Sequence, residues 1–273
     1  MKKWVMIIDV AKCHNCNNCF MACKDEHVDN DWTPVSRPQP RHGHRWRDIA
    51  RTDRGQYPLI DIVYRPGNCM MCENAPCIDA GSGAVIRRDD GIVLIVNEMA
   101  KGRRDLVEAC PYGAIWWNDA ENLPQKCTFC AHLLDQGWTD TRCSQVCPTG
   151  ATVFRFLDNI ELEALIREEG LECYRDDLGT RPRVIYKNLY RFTKHFIAGS
   201  LIYGDECCEG AQVTVAGETG LISTVCSNGY GDFRADGLVP GAYTVTIRYP
   251  GCADIVCKVT LEESCHLGEF TLG

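Results

Sequence analysis

The sequence predicts an α+β protein in which two related cysteine-rich modules precede a small all-β sandwich. Twelve cysteines lie in tight groups between Cys13 and Cys147, and a Cys-Pro-x-Gly-Ala element occurs at residues 110–114 and again at 147–151. After about residue 195, short alternating apolar runs are separated by Gly, Asp, Asn or Pro, which is typical of short strands joined by turns. We therefore predict one domain over 1–195 and another over 196–273.

The composition is that of a folded protein rather than a disordered or membrane-spanning one. The chain has 273 residues, enough for one to two domains, and 45% of them are hydrophobic. No apolar run approaches the roughly 18–20 residues of a membrane span, and Asp9 ends the apolar start too early for a secretory signal. We therefore expect a cytoplasmic protein with no membrane span. The net charge of −8 argues against nucleic acid as the partner.

The 19 cysteines indicate metal ligation, because a reducing compartment keeps thiols out of disulfides. The first group, which runs from Cys13 through Cys16 and Cys19 to Cys23, has the spacing C-x2-C-x2-C-x3-C. Bacterial ferredoxins have this spacing, and in them three cysteines hold one [4Fe–4S] cluster while the fourth reaches another. A tight loop can wrap three corners of a cube, so the fourth ligand must come from elsewhere in the chain.

Three further groups follow along the chain. The second has the spacing C-x2-C-x4-C, and Gly81 stands where a fourth cysteine would be expected. The third keeps only Cys110. Its other three positions hold Ala100, Arg103 and Leu106. The second group consists of Cys69, Cys72 and Cys77, and the fourth, spaced C-x2-C-x12-C-x3-C, consists of Cys127, Cys130, Cys143 and Cys147.

Zinc is the alternative metal, since cysteines also bind it in tetrahedral sites built from pairs of ligands. Four cysteines within eleven residues, followed by further groups, fit that pattern poorly. The spacing and the repeat together favour two ferredoxin-like cluster-binding modules. A zinc-stabilised interaction scaffold is the alternative function of another class.

These groups resemble those of the electron-transfer subunits that accompany molybdopterin enzymes of the dimethyl-sulfoxide-reductase type. The resemblance covers roughly residues 5–155. In that family the first and fourth groups exchange ligands, and so do the second and third. The resemblance implies Cys13, Cys16, Cys19 and Cys147 as ligands of cluster one, Cys127, Cys130, Cys143 and Cys23 for cluster two, and Cys69, Cys72, Cys77 and Cys110 for cluster three.

The remaining cluster of that family has no ligands in this sequence. It would need cysteines at positions 81, 100, 103 and 106, and all four are absent together. Random loss would leave partial sets. We therefore expect three [4Fe–4S] clusters and one vacated site.

A narrower resemblance covers nearly the whole chain and points to the small-subunit family of pyrogallol–phloroglucinol transhydroxylases. It implies a heterodimer with a large catalytic subunit that carries molybdenum and a pterin cofactor. That large subunit would hydroxylate, dehydroxylate or transhydroxylate polyhydroxylated aromatics. The matching stretches are IDVAKCHNCNNCFMACKDEH (8–27), RHGHRW (41–46), CENAPC (72–77), KCTFCAHLLD (126–135) and RPRVIYKNLYRF (181–192).

The chain itself shows no nucleophile–base pair, P-loop or dinucleotide-binding glycine motif, so we expect no catalytic residue in it. Its expected role is to pass single electrons to or from the metal of the partner. The Pro-Thr-Gly-Ala run after Cys147 is closer to the broad family. The class of partner is therefore better defined than its substrate. The alternative function is that of an electron-wiring subunit of a respiratory molybdenum reductase.

Polar residues near the cysteines have two interpretations each. The arginine-rich stretch from Arg37 to Arg54 is either a solvated loop or a docking site for an acidic or phosphate-bearing face of the partner. His14, His27 and His132 are expected to donate hydrogen bonds to cluster sulfur or to be solvated. A ligand role is not expected of them, because every set already has four cysteines.

From residue 160 onward, the sequence predicts a helix, a connector and seven strands. The run Ile160–Gly170 has helical spacing, and Gly170 suits a helix C-cap. Pro182 opposes a helix within Thr180–His195, where we expect an extended connector. The strands are predicted near 197–203, 211–216, 221–227, 232–236, 242–249, 254–261 and 266–272.

The segment from Gly210 to Val245 resembles carboxypeptidase-regulatory or transthyretin-like sandwiches, through its turns GYGDF and GLVPGAYTV. Such domains usually bind or scaffold, and we assign no chemistry to this one. It holds six cysteines, and Cys257, which shares a strand face with Ile255 and Val259, is interpreted as a buried free thiol. Disulfides among them stay an open alternative, because connectivity cannot be deduced from sequence.

Overall fold

The computed structural model describes residues 1–273, and the chain divides into two compact units. The cysteine unit comprises residues 1–50 and 64–189, and the β unit comprises residues 51–63 and 190–273. Residues 51–63 thus group with the C-terminal part of the chain, and the domain boundary at 195/196 stays a prediction. No helix combines the length and the apolar character that crossing a membrane requires.

Seventeen strands, eight α-helices and two 3-10 helices (Val10–Lys12 and Asp176–Leu178) form the two units. The helices are α1 (Asn18–His27), α2 (Pro76–Gly81), α3 (Asn97–Ala100), α4 (Asp105–Glu108), α5 (Ala131–Leu134), α6 (Arg142–Gln145), α7 (Asn159–Glu169) and α8 (Tyr190–Thr193). The strands are β1 (Lys3–Asp9), β2 (Arg47–Gln56), β3 (Leu59–Asn68), β4 (Val85–Arg87), β5 (Val93–Ile95), β6 (Trp116–Asn118), β7 (Leu123–Gln125), β8 (Thr152–Leu157), β9 (Val184–Lys187), β10 (His195–Tyr203), β11 (Glu206–Cys207), β12 (Gln212–Gly217), β13 (Gly220–Cys226), β14 (Asp232–Leu238), β15 (Gly241–Arg248), β16 (Ile255–Leu261) and β17 (Cys265–Leu272).

A three-stranded sheet in the order β8-β1-β9 runs through the cysteine unit. Its central strand β1 pairs antiparallel with β8 and parallel with β9. Met6 in β1 is fully buried and lies opposite Phe154 on one side and Val184 on the other. An apolar centre of this kind is expected of a strand flanked on both edges.

The prediction of an extended connector over Thr180–His195 was wrong. Residues 184–187 form β9, and residues 190–193 form the one-turn helix α8. Val184, Ile185 and Tyr186 are buried. This short apolar run forms a strand because it pairs with β1. A run of that length carries no periodicity by which sequence alone could tell a strand from a linker.

The helix predicted over 160–170 is confirmed as α7. Asp158 is its N-cap and accepts a hydrogen bond from the Glu161 backbone N–H, while the Glu161 carboxylate accepts one from the Asp158 N–H. This reciprocal pair is a capping box. Gly170 ends the helix with φ +62°, a left-handed conformation that glycine adopts at low cost.

The two halves of the cysteine unit each contain a packed pair of helices and the same turn. In one half α1 packs against α6, and in the other α2 packs against α4. The repeated Cys-Pro-x-Gly-Ala elements form the same turn, since Gly113 N–H donates to Cys110 O at 3.0 Å and Gly150 N–H donates to Cys147 O at 3.3 Å. The two glycines have φ values of +62° and +63°. The predicted repeat is therefore a repeat of structure as well as of sequence.

The β unit contains two four-stranded sheets, as the predicted sandwich requires. One has the order β13-β12-β15-β16, and in the other β10 pairs with β11, β14 and β17. Inward-facing residues such as Leu201, Val213, Phe233 and Ile247 form one buried apolar core. Seven strands lie close to their predicted positions. The two-residue strand β11 was missed, because it is too short to show alternation.

An ion network lies within the β unit, where residues 51–63 meet β14. The side chain of Arg54 is only 4% exposed, and it donates to Asp61 Oδ2 at 2.5 Å and to Asp236 Oδ1 at 2.8 Å. Arg234 binds the same two carboxylates. Burial alone would raise the pKa of Asp61, but hydrogen bonds from Arg234 and Arg54 lower it to about 2.

Candidate metal centres

Three of the four C-x2-C pairs of the cysteine unit, those that begin at Cys13, Cys69 and Cys127, use the same backbone turn. The residue before the second cysteine of each pair is left-handed: Asn15 has φ +55°, Met71 has φ +48° and Phe129 has φ +53°. Such values are unusual for Met and Phe, so the surrounding structure must hold these turns in place.

The first set consists of Cys13, Cys16, Cys19 and Cys147. Burial raises the pKa of Cys13, and the neighbouring thiols of Cys19 and Cys147 raise it further. Cys19 is buried, whereas Cys16 is exposed in the same loop. The structure thus brings Cys147, the last cysteine of the fourth group, to the loop that contains Cys13.

The second set consists of Cys23, Cys127, Cys130 and Cys143, which line one cavity in the interior. Burial raises the pKa of Cys127 to about 12, and the thiol of Cys143 adds to this rise. Burial also raises the pKa of Cys130 well above its usual value, with contributions from Cys143, Cys23 and Cys127. All four thiols are therefore close neighbours.

The third set consists of Cys69, Cys72, Cys77 and Cys110. Burial raises the pKa of Cys72 to about 12, and the other three thiols of the set raise it further. Burial raises the pKa of Cys77 to about 11, with Cys69 and Cys110 again adding to the rise. The structure therefore brings Cys110 to the C-x2-C-x4-C group that precedes it by about thirty residues.

The three sets adjoin one another in order. Cys19 of the first set is close enough to Cys143 of the second to raise its pKa. Cys69 of the third set does the same to Cys127 of the second. The second set is therefore the middle member of a row of three.

The chemistry of the three sets fits a polynuclear cluster better than a single ion. Four thiolates around one zinc, each about 2.3 Å from it, lie about 4 Å from one another. No group of three or more Cys, His, Asp or Glu side chains has an arrangement that could hold a single metal ion. A cubane of iron and sulfide instead binds its four thiolates at the corners of a larger, cationic core. Thiols with a pKa near 12 need such a cationic core to become ligands, because a coordinated thiol is deprotonated outright.

The positions of the missing fourth set are filled by ordinary packing. Ala100 and Leu106 are completely buried. A side chain at Gly81 would meet Val85 Cγ2 at 3.0 Å. Arg103 donates to the carbonyl oxygens of Ala80 at 2.9 Å and Gly81 at 3.3 Å. Apolar side chains and a guanidinium thus occupy the place where a cluster would need four thiolates.

The three predicted histidines have different surroundings. His14 is exposed, and His132 contacts Glu26 Oε1 through Nε2 at 2.9 Å. His27 lines the cavity of the second set, where its buried Nδ1 has no hydrogen-bond partner within the chain. Burial lowers the pKa of His27 to about 3, and His132 lowers it further. Of these three histidines, His27 is therefore the one that faces the thiols of a set, and it does so as a neutral imidazole.

The arginine-rich stretch is largely neutralised within the chain. Arg37 pairs with Glu121 at 3.0 Å, and Arg41 pairs with Asp29 at 3.2 Å. Arg45, Arg51 and Arg54 also have carboxylate partners in this chain. This internal pairing favours the interpretation as a solvated surface over a docking site. Arg47 is the exception, because it is fully buried and has no carboxylate partner.

Sequence reasoning missed two buried cations beside the cysteines. Arg47 was grouped with its exposed neighbours, and Lys126 was passed over next to Cys127. Both side chains are nearly inaccessible to solvent. The sequence carried no signal that distinguishes Lys126, because Lys12, which is exposed, also stands next to a cysteine of the predicted sets.

The remaining seven cysteines form no comparable set. All 19 cysteines are free thiols in the structure. Cys257 packs against the sandwich core but is half-buried, so the prediction of a buried thiol was right about its face and too strong about its burial. Cys207 and Cys226 are exposed.

Comparisons with known proteins agree with this geometry. Residues 60–156 match the family described as 4Fe-4S dicluster domain, and residues 203–267 match the carboxypeptidase regulatory-like domain. The chain is 48% identical, over the full length of both chains, to the pyrogallol hydroxytransferase small subunit of Pelobacter acidigallici.

Two more distant relatives match the cysteine-rich part. One is a putative iron–sulfur subunit of dimethyl sulfoxide reductase from Halobacterium salinarum, with 31% identity over 69% of this chain and 80% of the relative. The other is the iron–sulfur subunit of the arsenate respiratory reductase from Shewanella sp., with 28% identity over 66% of this chain and 94% of the relative. The protein is therefore a non-catalytic, electron-transferring iron–sulfur subunit, and it belongs to the small-subunit family of pyrogallol hydroxytransferase.

Proposed function

We propose that this chain carries three [4Fe–4S] clusters and exchanges single electrons with a large catalytic subunit that acts on polyhydroxylated aromatics. The observation that carries the proposal is the row of three thiol sets, in a chain related over its full length to a pyrogallol hydroxytransferase small subunit. Molybdenum and the pterin cofactor belong to the large subunit alone.

The proposed ligands are the three sets described above. Each [4Fe–4S] cluster, when bound, can take up and release one electron. The ligands of cluster one are Cys13, Cys16, Cys19 and Cys147, those of cluster two are Cys127, Cys130, Cys143 and Cys23, and those of cluster three are Cys69, Cys72, Cys77 and Cys110.

The chain contributes burial and hydrogen bonds to these ligands. Backbone N–H groups point at ligand sulfur, with Phe129 N 3.5 Å from Cys127 Sγ and Ala114 N 3.4 Å from Cys110 Sγ. Such donors favour the reduced state, since they stabilise the additional negative charge. Burial of the second and third sets also keeps water away from the sulfurs.

The packing at residues 81, 100, 103 and 106 supports three clusters rather than four. Arg103 and its hydrogen bonds to Ala80 and Gly81 stand where a fourth cluster would need ligands. The second set, in the middle of the row, then connects the other two. Electrons enter or leave this chain through the first or the third set.

The proposed assembly is a cytoplasmic heterodimer in which the domain 1–195 carries the clusters and the sandwich 196–273 serves as a scaffold. A transhydroxylation involves no net oxidation or reduction. In that case the clusters set or restore the oxidation state of the partner's molybdenum. In a respiratory reductase, by contrast, electrons flow through the clusters in every turnover.

The test is to isolate the chain together with its large partner under anaerobic conditions and analyse both. We expect about twelve iron and twelve sulfide ions per small chain, turnover of pyrogallol by the complex, and none by the small chain alone. About sixteen iron ions would contradict the vacated site, and zinc without iron would contradict the whole proposal. Dependence of turnover on an external electron donor would identify the respiratory alternative.

A further inference from the structure

Two fully buried cations in the cysteine unit have no carboxylate partner. Arg47 is 1% exposed, and its guanidinium donates to Asn68 Oδ1 at 2.7 Å and to Thr152 Oγ1 at 2.5 Å. Lys126 is 2% exposed, and its ammonium donates to the carbonyl oxygens of Val93 and of Cys127. All of these acceptors are neutral, so neither charge is compensated by an acid.

Other buried arginines of this protein are compensated in the ordinary way. Arg54 binds Asp61 and Asp236, and Arg183 binds Glu73. Burying a cation without a counter-charge costs several kcal/mol. The contrast means that Arg47 and Lys126 must face negative charge that the polypeptide alone does not supply.

The neighbours of Arg47 are thiols of two different sets. Its guanidinium lies beside Cys19 of the first set and beside Cys143 of the second. Arg47 also lines the cavity formed by the second set, and its Nε has no hydrogen-bond partner within the chain. Arg47 is thus shared by the first and second sets.

Lys126 has the corresponding position one step along the row. Its ammonium binds the carbonyl oxygen of Cys127, which belongs to the second set, and that of Val93. The Val93 N–H in turn donates to Met71 Sδ, between Cys69 and Cys72 of the third set. Each junction between adjoining sets therefore contains one buried and otherwise uncompensated cation.

We propose that Arg47 and Lys126 are shared positioning charges, Arg47 for clusters one and two and Lys126 for clusters two and three, and that each raises the reduction potentials of both of its clusters. This inference rests on the proposed function, because it takes the three sets as cluster ligands. A cluster with four thiolates carries a net charge of about −2 when oxidised and gains one more negative charge on reduction.

A shared charge suits electron transfer along a row. When one electron leaves one cluster and enters the next, no bond forms or breaks, no proton moves, and the total charge of the pair is unchanged. A cation close to both clusters stabilises the electron before and after this step. It therefore raises both potentials together and keeps them close to each other.

The test is a redox titration of the intact complex, followed by electron paramagnetic resonance. The test variants are Arg47→Gln and Lys126→Gln, which each remove one buried charge. The matched control is Arg41→Gln, which removes the same charge from a side chain that is 72% exposed. We expect each buried variant to lower the reduction potentials of two clusters. The expected shift is at least about tenfold in the ratio of reduced to oxidised cluster, or ~59 mV for one electron.

The pattern of shifts is the distinctive prediction. One signal should move only in Arg47→Gln, one only in Lys126→Gln, and one, that of cluster two, in both. The control should leave all three signals unchanged, since water screens the charge that it removes. Uniform small shifts of all three clusters, or no shift at full iron content, would overturn the inference.

Charge-preserving variants keep the inference testable if a glutamine variant loses a cluster. If a glutamine variant loses iron, Arg47→Lys or Lys126→Arg should retain about twelve iron ions and potentials close to those of the unaltered protein. Loss of iron in these variants as well would overturn the inference, because shape rather than charge would then be essential. Fewer than twelve iron ions in the unaltered complex would instead contradict the proposed function, so the two failures are distinguishable.

Discussion

The two units of this protein have interiors of different chemistry. The core of the β unit is aliphatic and aromatic, with residues such as Leu201, Phe233 and Val245 completely or almost completely buried. The interior of the cysteine unit contains seven buried cysteines, together with buried cations and amides. Of the buried polar or charged side chains, only Arg54, Ser227 and Ser264 lie in the β unit.

This difference shows what each unit needs in order to be stable. Burial of apolar surface stabilises the β unit at about 25 cal/mol per Å², and no ligand is required for it. The cysteine unit buries uncompensated cations beside thiols, so we expect a bound anionic cluster to contribute to its stability. Metal binding and folding should then be coupled in this unit and independent in the other.

The largest expected effect follows from removing iron. Oxidative chelation of all clusters should abolish the amide hydrogen-exchange protection of β1 and β8, because the buried cations lose their counter-charge. Protection of β12 and β15 should persist. Hydrogen exchange followed by mass spectrometry would measure both. Equal loss of protection in the two units would show that their stabilities are not separable.

The next effect concerns one cluster at a time. Cys110→Ala should remove the signal of cluster three or convert it to a three-iron form, because it opens one iron corner. Clusters one and two should remain, since their ligands belong to the other sets. Iron analysis and electron paramagnetic resonance would show this.

A matched cysteine variant serves as the control for that experiment. Cys257→Ala alters a half-buried thiol of the β unit and should leave all cluster signals intact. If Cys257→Ala removed a cluster, or Cys110→Ala removed none, the proposed division of the cysteines would be incorrect.

A third prediction addresses the β unit alone. Ile247 is completely buried, so Ile247→Ala should lower the free energy of unfolding of this unit by about 2–5 kcal/mol and leave the iron content unchanged. Val256, which is 60% exposed on the adjacent strand, is the control, and Val256→Ala should change stability by less than about 0.5 kcal/mol. Denaturant titration and iron analysis of both variants would test this independence.

The smallest expected effect is an acid-dependent one in the β unit. Asp61 has a pKa of about 2 in the folded protein, below the value near 3.9 of an unfolded chain. Its contribution, about 2 kcal/mol, is therefore present above pH 4 and lost as the pH falls toward 2. In Asp61→Asn, the protection of β10 and β14 amides should be lower at pH 5 and should change less between pH 5 and pH 3. An unchanged acid dependence would show that this ion network does not contribute.

Sequence by itself determined the features that depend on neighbouring residues. The three-cysteine loops, the repeated turns at Gly113 and Gly150, the capping of α7 and the seven longer strands all follow from local spacing and periodicity. These features were predictable, because covalent geometry and side-chain alternation act over a few residues.

Tertiary structure alone decided what comes together across the chain. Packing placed residues 51–63 with the β unit, recruited residues 184–187 into the sheet beside β1, and buried Arg47 and Lys126 next to thiols from two sets each. The sequence does not distinguish a charged residue on the surface from one in the interior. Only the folded chain shows which charges have lost their water, because burial is a property of distant neighbours rather than of adjacent residues.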